Sequence, residues 1–384
     1  MQELIEKVRS THVLRTGRLD LNYQVSPDAA ALFQIAERQN PKRGFLFVST
    51  VLGRHIPIPP SRHRQVLRRL GAGCLPHLLP GPVLVMGFAE TAIGLGAGVA
   101  EEISRHQQTI YLPTTRHLIP GRGWVSFSED HSHASRHEVL RPDANLDAVR
   151  NLVLVDDEMT TGNTMTNLVR ALQGTRFTFA RIVLVTLTDW SQGRAAALVR
   201  AASGVANVRS VSLLHGSWSW TTDPNAPSST VPTLTGAAMP LWQPAGDQGA
   251  FGAPRLGLTE FSRPAPPDLP LPPRASVLVV GSGEHVWHPF QLAEALEAMG
   301  YQTAFCATTR SPIHLGEVIR QTMTFADHFG LGVPMYLHNV RRQDWDRVVL
   351  MTETGIDGID DRLKAQLLPS MIIDGTGRVH ASEP

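Results

Sequence analysis

Leu-Val-Leu-Val-Asp-Asp-Glu-Met-Thr-Thr-Gly-Asn-Thr, at residues 152–164, is the most informative segment of this 384-residue chain. Its four leading apolar residues are typical of a buried strand, and two adjacent carboxylates, Asp156 and Asp157, follow them directly. After a loop of Thr, Gly and Asn, apolar residues at helical spacing predict a helix from about Thr164. The segment therefore predicts a strand that ends in two acids, a loop of small residues and a helix.

The chemistry of this segment suits a phosphorylated sugar. Two neighbouring carboxylates accept hydrogen bonds from vicinal hydroxyls. Backbone N–H groups and hydroxyls in front of a helix form a cradle for phosphate, because the positive end of the helix dipole points there. A diol and a phosphate lie side by side in ribose 5-phosphate. The simpler alternative is an ordinary strand–loop–helix in which the Asp pair only caps the helix.

The order strand–Asp–Asp–x–x–Thr–Thr–Gly–x–Thr–helix resembles the phosphoribosyl-pyrophosphate (PRPP) loop of the type I phosphoribosyltransferases. The resemblance implies an enzyme that transfers 5-phosphoribosyl from PRPP to a nitrogen of a nucleobase-like acceptor and releases pyrophosphate, with Mg²⁺ as cofactor. It implies that Asp156 and Asp157 hold the ribose hydroxyls, directly or through Mg²⁺ and water. The residues that it assigns to the 5-phosphate are Met159, Thr160, Thr161, Gly162, Asn163 and Thr164.

The surrounding sequence alternates strands with a helix. Strands are predicted at 44–51, 83–86, 109–112, 152–155 and 181–187, and a helix at 92–105. This alternation is typical of a doubly wound, mainly parallel α/β sheet, in which ligands bind at the carboxyl ends of the strands. Together with the resemblance, it predicts the type I phosphoribosyltransferase fold with a small hood subdomain over residues 1–220.

A second domain is predicted after a proline-rich linker. Residues 221–275 hold 12 of the 28 prolines and show little apolar periodicity, which predicts the linker. Residues 276–384 read as a Rossmann-like α/β domain, because the strand–helix alternation starts again there. Its predicted strands are 276–280, 303–307 and 348–351, and its predicted helix is 289–299.

This second domain repeats features of the first. The separation from Glu90 to Arg116, in Thr114-Thr115-Arg116, is 26 residues, and so is that from Glu284 to Arg310, in Thr308-Thr309-Arg310. A third strand follows each of these arginines. We interpret the pattern as an internal duplication. Aligned by their apolar letters, the third strands place Met351 and Thr352 where the first copy has its two aspartates, so the second copy is predicted to be a degenerate duplicate without a PRPP site.

A further loop is predicted to bind the pyrophosphate of PRPP. The segment 87–94 follows a strand and opens a helix, as the pyrophosphate loop of the family does, and the resemblance assigns this role to Ala89, Glu90 and Thr91. Arg116 ends the next predicted strand, where its guanidinium suits a bidentate contact with pyrophosphate. The alternative is a common Gly-rich turn and an exposed surface arginine.

Residues 117–142 read as a long polar connection without structure of its own, and such loops are usually functional or disordered. Their position matches the mobile loop that closes over PRPP in the family and excludes water. The residues predicted to stabilise the leaving group are His131, His133, Arg136 and His137. A metal site formed by these histidines with Asp130 is the alternative.

Recognition of the acceptor is predicted just after the strand at 181–187, because the family commonly places an aromatic stack at this edge. Trp190 is predicted to stack on the base and Asp189 to bond its ring edge. By position, Lys42, Arg54 and His55 belong to the hood, which selects the acceptor in the family.

Composition limits the partners. A net charge of +1 gives no reason to expect nucleic acid or an anionic membrane. The longest apolar stretch, 81–100, contains Glu90 and several glycines, so no membrane span is expected. The charged start of the chain lacks the apolar core of a signal peptide, and a cytoplasmic location is expected. We expect a homodimer.

The string Thr308-Thr-Arg-Ser-Pro312 resembles the TRSP domain, which is named for it and follows orotate-like phosphoribosyltransferase domains in one bacterial family. The association of that family with stress and tellurite resistance implies synthesis or salvage of a specialised nucleotide-like metabolite. The alternative function is a PRPP or nucleotide sensor that kept the fold and lost turnover. The predicted loop at 117–142 favours the enzyme, because a sensor has no need to exclude water.

Overall fold

The structure, a computed structural model, describes residues 6–26, 31–38, 43–117, 119, 121–128, 136–175, 177–226, 254–263 and 265–381. The chain divides into two units. Unit 1 consists of Met1–Leu32, Val66–Pro227 and Arg255–Phe261, and unit 2 of Phe33–Gln65, Ser228–Pro254 and Ser262–Pro384. Two segments therefore differ from the predicted boundaries: residues 33–65 belong to unit 2, and residues 255–261 of the predicted linker belong to unit 1.

The regular elements lie close to the predicted ones and add several more. The strands are β1 (Glu6–Leu14), β2 (Gly17–Val25), β3 (Phe33–Glu37), β4 (Phe45–Ser49), β5 (Val83–Gly87), β6 (Thr109–Tyr111), β7 (Gly123–Ser128), β8 (Arg136–Leu140), β9 (Asn151–Met159), β10 (Arg181–Asp189), β11 (Val208–Thr222), β12 (Ser276–Gly281), β13 (Gln302–Ala307), β14 (Thr322–Ala326), β15 (Pro334–His338), β16 (Arg347–Met351), β17 (Met371–Ile373) and β18 (Val379–Ala381). The helices are α1 (Pro60–Cys74), α2 (Ala92–Ser104), α3 (Asn163–Gln173), α4 (Arg194–Ser203), α5 (Trp287–Ala298) and α6 (Asp361–Leu367). In the described part of the chain, no helix combines the length and apolarity needed to cross a membrane.

Unit 1 is built on a seven-stranded sheet in the order β1-β2-β11-β10-β9-β5-β6. The strands from β11 to β6 run parallel. Strand β5 and the first five residues of β9 are buried throughout, as the unbroken apolar runs predict for strands covered on both faces. The ribbon β1–β2 adds to the sheet in antiparallel fashion through β11. The unit is thus a doubly wound, mainly parallel sheet with the type I phosphoribosyltransferase fold.

Unit 2 contains a second α/β sheet in the order β13-β12-β16-β17-β18, in which the first four strands are parallel. Alternate apolar residues of β12, β13 and β16 form one core cluster with residues of the β14–β15 hairpin and α6. Because this core includes both the sheet and the elements covering one of its faces, the second sheet has a hydrophobic core of its own.

The two units repeat one topology. In chain order, the second, first, third and fourth strands lie side by side in both sheets: β6-β5-β9-β10 and β13-β12-β16-β17. A hairpin, β7–β8 or β14–β15, lies between the second and third strands in each. One isolated backbone pair also recurs: Thr115 pairs with Glu138 in unit 1, and Thr309 pairs with Tyr336 in unit 2. The duplication predicted from the Thr-Thr-Arg strings agrees with this shared strand order.

The strand register changes the alignment of the two copies by one residue. Gly87, at the end of β5, pairs with Val155, and Gly281, at the end of β12, pairs with Met351. In each unit, the amide of the residue after this glycine donates to the carbonyl of the glycine's strand partner, at 3.0 Å in unit 1 and at 3.1 Å in unit 2. Met351 therefore corresponds to Val155.

This register corrects the predicted alignment of the two aspartates. Asp156 corresponds to Thr352, and Asp157 corresponds to Glu353, so the second copy has lost one acid and kept a carboxylate at the other position. Alignment by apolar residues missed this one-residue difference, because a shift of one residue in a fully buried strand replaces one apolar residue with another.

The predicted hood residues lie in unit 2. The antiparallel pair β3–β4 packs there through Ala36 and Val48, which form an apolar cluster with Ile313 and Ile319. Beyond β4, the Arg54 side chain is buried, and its Nη1 donates to the carbonyls of Gly283 and Thr308 at 2.8 and 2.5 Å. His55 is also buried, and Lys42 lies outside the described residues. These contacts give Arg54 a structural role within unit 2.

Candidate active site

Three loops of unit 1 meet at one edge of its sheet. They follow β5, β6 and β9, which are neighbours and run parallel, so their carboxyl ends lie together. Two hydrogen bonds tie the loops to each other: the Thr91 hydroxyl donates to Asp157 Oδ1 at 2.9 Å, and the Ala89 amide donates to Thr114 Oγ1 at 2.9 Å. The structure thus brings the predicted diol and pyrophosphate residues into one site.

The two aspartates end the buried part of β9. Residues 151–155 are buried, whereas Asp156 and Asp157 are half-buried. Asp156 Oδ1 accepts the backbone amide of Asp157 at 2.9 Å. Because these bonds fix the carboxylates on a central strand, the pair is positioned by the sheet rather than by a mobile loop.

The segment between β9 and α3 has the geometry of an anion cradle. Gly162 has φ +82° and precedes the first residue of α3. Its carbonyl accepts the amide and the hydroxyl of Thr166 at 2.9 and 2.8 Å, so the helix starts tightly. The first amides of an α-helix have no acceptor within the helix and point toward a ligand at its N-terminus. The loop is therefore built to offer N–H groups to a phosphate.

Gly162 is also required by its surroundings. A methyl group on this residue would lie 2.5 Å from the Ala195 Cβ of α4, well inside van der Waals contact. The positive φ adds a second reason, because residues with a side chain rarely adopt it. Together these constraints explain why the loop between β9 and α3 carries a glycine at this position.

The predicted pyrophosphate loop makes a sharp turn between β5 and α2. The peptide bond between Ala89 and Glu90 is cis. A methyl group on Gly87 would lie 2.4 Å from the Ala92 carbonyl oxygen, so the chain folds closely back on itself. Thr114 Oγ1, which accepts the Ala89 amide, also lies 3.0 Å from His137 Nδ1. The loop is therefore anchored through Thr114, the first residue of the Thr-Thr-Arg string.

Arg116 is half-buried beside this loop, and its Nη1 donates to the Arg136 carbonyl at 3.4 Å. The Arg136 side chain is 69% exposed and pairs with Glu138. The Thr115 backbone bonds that of Glu138 in both directions, at 2.8 and 2.9 Å. These contacts hold the base of the β7–β8 hairpin against the turn that carries Arg116.

A residue that the sequence analysis did not single out supports the same turn. Arg255 is 1% exposed, and its Nε donates to Thr115 Oγ1 at 3.0 Å. Three residues later, Leu258 pairs with Tyr111 of β6 through two backbone bonds of 2.8 Å. Arg255 lies in a proline-rich region without periodicity, so the only local signal was a single arginine among apolar residues and glycines.

The predicted loop at 117–142 contains regular structure. Residues 123–128 and 136–140 form the antiparallel hairpin β7–β8, and Val125 and Phe127 alternate inward as a half-buried strand requires. His137 is fully buried, stacks on Phe127 at 4.9 Å and contacts Thr114, so its role is structural. His131 and His133 lie outside the described residues, as does Asp130.

The alternative metal site at the hairpin depends on Asp130, His131 and His133, so it is not tested by the residues that the structure describes. Among these residues, no group of three or more His, Cys, Asp or Glu side chains is placed to hold a metal ion. His137, the described member of the predicted set, is bonded to Thr114.

The residues predicted to bind the acceptor base are buried. Trp190 is 2% exposed, and its ring meets Tyr23 edge-on at 6.0 Å. A methyl group on Gly216 of β11 would lie 2.9 Å from the same ring, which shows how closely the sheet covers it. Asp189 is 4% exposed and accepts the Ser191 amide at 2.8 Å. Trp190 thus belongs to the core in this structure, and Asp189 shapes the turn after β10.

Two family models match the chain. Residues 32–217 match the model described as "Phosphoribosyl transferase", and residues 267–368 match the model described as "TRSP domain C terminus to PRTase_2". No curated protein matches the chain. The two matches agree with the strand–Asp–Asp–loop–helix of unit 1 and the Thr-Thr-Arg-Ser-Pro string of unit 2.

Solved structures of phosphoribosyltransferases are similar to about half of the chain. Adenine phosphoribosyltransferase from Trypanosoma brucei has 12% identity and a TM-score of 0.36, covering 49% of this chain and 79% of that one. The enzyme from Giardia lamblia has 18% identity and a TM-score of 0.36, covering 48% and 95%. Orotate phosphoribosyltransferase from Aeropyrum pernix has 19% identity and a TM-score of 0.30, covering 48% and 88%.

The family match, the sheet order and the site geometry define an enzyme of the phosphoribosyltransferase class. In this chain, the segment that matches the phosphoribosyltransferase model is followed by the segment that matches the TRSP model.

Proposed function

We propose that the protein transfers the 5-phosphoribosyl group of PRPP to a ring nitrogen of a nucleobase-like acceptor and releases pyrophosphate. The observation that carries this proposal is the bond from Thr91 to Asp157, because it joins the proposed pyrophosphate loop to the proposed ribose-binding acids. The two halves of PRPP meet at C1 of the sugar, so the residues holding them must also meet.

The chain's own residues supply position and charge. The amides and hydroxyls of residues 159–164 hold the 5-phosphate, and Asp156 and Asp157 hold the ribose hydroxyls. Residues 89–91 and the Arg116 guanidinium hold pyrophosphate. As the bond from C1 to the pyrophosphate oxygen breaks, negative charge grows on the leaving group, and Arg116 stabilises it there.

The acceptor nitrogen forms the new bond to C1 and loses its proton. Asp157 is the proposed proton acceptor, because its carboxylate lies on the strand end that faces the sugar. Arg136 is the proposed second cation for the leaving group; its carbonyl already contacts Arg116. His131 and His133 keep the same proposed role in the hairpin. This step resembles phosphoryl transfer in depending mainly on positioning and electrostatics.

Mg²⁺ is the proposed cofactor, and the donor set fits it. Two half-buried carboxylates on adjacent residues are hard oxygen ligands, which Mg²⁺ prefers together with waters and substrate phosphates. The ion would neutralise the charge of pyrophosphate, and Asp156 and Asp157 would hold it directly or through water. A homodimer and a link to stress or tellurite resistance are also part of the proposal, and both rest on the family resemblance.

A PRPP- or nucleotide-binding regulator is the second candidate. One observation favours it: Trp190 and Asp189, the residues predicted to bind an acceptor, are both buried. The Ala89–Thr114 and Thr91–Asp157 bonds build a site that either function requires. The hairpin held beside Arg116 favours the enzyme, because a sensor has no need to exclude water.

A pyrophosphate-release assay with PRPP, Mg²⁺ and a panel of purines, pyrimidines and orotate distinguishes the two. Pyrophosphate release that requires one acceptor, and that disappears in Arg116→Met, supports the enzyme. PRPP binding without release for any acceptor supports the regulator. An exposed arginine, Arg209→Met, is the matched control.

A further inference from the structure

The face of the unit 1 sheet that carries Asp157 continues across the next two strands. Met159 of β9 pairs with Asp189 of β10, which in turn pairs with His215 of β11. Side chains paired in neighbouring strands point to the same face of a sheet, and so do side chains two residues apart in one strand. Asp157, Asp189 and His215 therefore lie on one face, at the edge of the sheet that carries the ligand loops.

Asp189 and His215 form a pair at this edge. Asp189 is 4% exposed, and its Oδ1 accepts the Ser191 amide at 2.8 Å, so the carboxylate is held in place. Its Oδ2 lies 3.9 Å from His215 Nδ1, and the His215 side chain is 56% exposed. The facing carboxylate favours a proton on Nδ1, so we assign the proton there, which leaves Nε2 as a hydrogen-bond acceptor. His215 therefore offers a polar atom to a ligand beside the end of β10.

The geometry of the reaction points to the same side of Asp157. The proposed pyrophosphate residues follow β5 and β6, which lie on one side of β9 in the sheet, whereas β10 and β11 lie on the other. Substitution at C1 requires the acceptor nitrogen in line with the departing pyrophosphate oxygen, on the opposite side of the sugar carbon. The acceptor is therefore expected over the ends of β10 and β11.

The spacing of these residues suits an acceptor of the size of a nucleobase. Neighbouring strands lie about 4.8 Å apart, and each residue advances along a strand by about 3.3 Å. Two strands across and two residues along place the Cα atoms of Asp157 and His215 roughly 12 Å apart. A ribose and a heterocycle bonded to its C1 are together long enough to reach from one residue to the other.

A groove continues along the same face beyond His215. It has a volume of about 610 Å³, which lies within the range of small-molecule sites. Ser217, two residues beyond His215, lines the groove and pairs with Asn22 of β2, which pairs with Arg9 of β1. The exposed Gln192 lines it from the turn after β10. The groove therefore adjoins both His215 on β11 and the end of β10.

The walls of this groove are polar. The side chains of Asn22, Gln192 and Ser217 form no hydrogen bond with another residue that the structure describes, so their donors and acceptors are available to a ligand. The charged lining residues, Arg9 and Asp20, have opposite signs. The groove therefore fits an uncharged polar group that forms several hydrogen bonds, and it disfavours an apolar one.

We propose that this face binds the acceptor of the transferase, a nitrogen heterocycle with an uncharged polar substituent. A ring N–H donates to His215 Nε2, and the substituent lies in the groove, where it bonds Asn22 and Ser217. The proposal rests on the proposed function, because the position of C1 is taken from it. It supplies an acceptor site in a structure in which Trp190 is buried.

Isothermal titration of the full chain with Mg²⁺ tests this proposal. The probes are ribose 5-phosphate, PRPP and four 5′-nucleotides that carry a base at C1: AMP, GMP, UMP and nicotinamide mononucleotide. We expect at least one of the four nucleotides to bind ten or more times as tightly as ribose 5-phosphate, because the base adds contacts with His215 and the groove. Absence of this gain for all four would overturn the proposal.

Two single substitutions locate the base. His215→Ala, and separately Asn22→Ala, should weaken binding of the tightest nucleotide about five- to tenfold by removing one hydrogen bond each. Both should change PRPP binding less than twofold, because PRPP has no base. His106→Ala is the matched control, since it removes another exposed histidine of unit 1 and should change neither affinity. Thermal melting checks that each variant folds.

The acceptor site and the proposed function fail in different ways. The acceptor site is refuted if neither His215→Ala nor Asn22→Ala alters nucleotide binding, or if both weaken PRPP binding as much as nucleotide binding. Failure of the proposed function appears instead as PRPP binding that survives Asp156→Asn/Asp157→Asn, whatever the effect of His215→Ala.

Discussion

Arg255 Nε donates to Thr115 Oγ1 at 3.0 Å, across 140 residues of sequence. Thr115 precedes Arg116, the proposed pyrophosphate ligand, and Arg255 comes from a region that composition marks as a linker. The bond shows that this region contributes to the frame of the transferase domain. Its loss should therefore affect both stability and substrate binding.

Arg255→Met should lower the free energy of unfolding of unit 1 by about 1–3 kcal/mol, because Thr115 loses a buried donor. It should also raise KM for PRPP more than it lowers kcat, since Arg116 would lose its alignment. Urea unfolding and steady-state kinetics measure the two effects. Arg263→Met is the control, because Arg263 is 46% exposed and sits 3.7 Å from Glu294. Equal behaviour of the two variants would show that the bond to Thr115 has no positioning role.

Gly162→Ala should be more harmful than Gly193→Ala. Both glycines precede a helix at nearly the same backbone angle, φ +82° and +81°. A methyl group on Gly193 meets nothing within 4 Å, whereas one on Gly162 meets Ala195 Cβ at 2.5 Å. We expect about 1 kcal/mol of destabilisation for Gly193→Ala from the backbone angle alone, and at least 1 kcal/mol more for Gly162→Ala. Urea unfolding compares the two, and only Gly162→Ala should weaken PRPP binding.

Thr91→Val should raise the dissociation constant of PRPP about five- to tenfold by removing the bond that joins the pyrophosphate loop to Asp157. The matched control is Thr11→Val, which removes another Thr-to-Asp hydrogen bond, that to Asp20 at 2.6 Å on the β1–β2 ribbon. Titration calorimetry with PRPP and Mg²⁺ provides the comparison. A Thr11→Val effect as large as that of Thr91→Val would contradict the proposed site.

Stability of unit 2 should fall between pH 7 and pH 5 because of His63. Burial lowers the pKa of His63 from its usual 6.5 to about 4, against the opposing effect of the hydrogen bond to the Val51 carbonyl. In the unfolded chain, the His63 imidazole therefore binds a proton near pH 6.5. In the folded chain, it binds this proton only near pH 4. The contribution of His63 to the free energy of unfolding is therefore fully present above pH 6.5. It is lost as the pH falls, by about 2 kcal/mol at pH 5.

Urea unfolding at pH 7.5 and 5.0, with hydrogen exchange to assign the transition to unit 2, measures this slope. His63→Asn should reduce this slope without abolishing it, because burial also lowers the pKa values of His55 and His338 in the same unit. Substitution of the exposed His106 by Asn should leave the slope unchanged. An unchanged slope in His63→Asn would refute the assignment.

The parallel strands of both units and the loop between β9 and α3 were predictable, because buried apolar runs and the Asp–Asp–x–x–Thr–Thr–Gly–x–Thr order are local signals. The packing of residues 33–65 in unit 2 was not, since an apolar run predicts a strand at 44–51 but not which core this strand covers. For the same reason, the hydrogen bond from Arg255 to Thr115 was not predictable.

The burial of Trp190 and Asp189 was not predictable for a related reason. Trp190 follows a strand at the ligand edge, and sequence cannot tell an aromatic ring that faces a ligand from one that Tyr23 and β11 cover. The match of Glu353 to Asp157 needed the pairing of Gly281 with Met351, because neighbouring apolar letters fit two registers equally well.

Binding of PRPP in the presence of Mg²⁺ to the unsubstituted chain and to Asp156→Asn/Asp157→Asn tests the central claim most directly. The matched control is Asp143→Asn/Asp147→Asn, which removes two exposed carboxylates of the same unit. We predict micromolar binding that the control keeps and that the Asp156/Asp157 variant loses by at least a hundredfold. Equal binding by all three proteins would contradict the assignment of the ribose site to the end of β9.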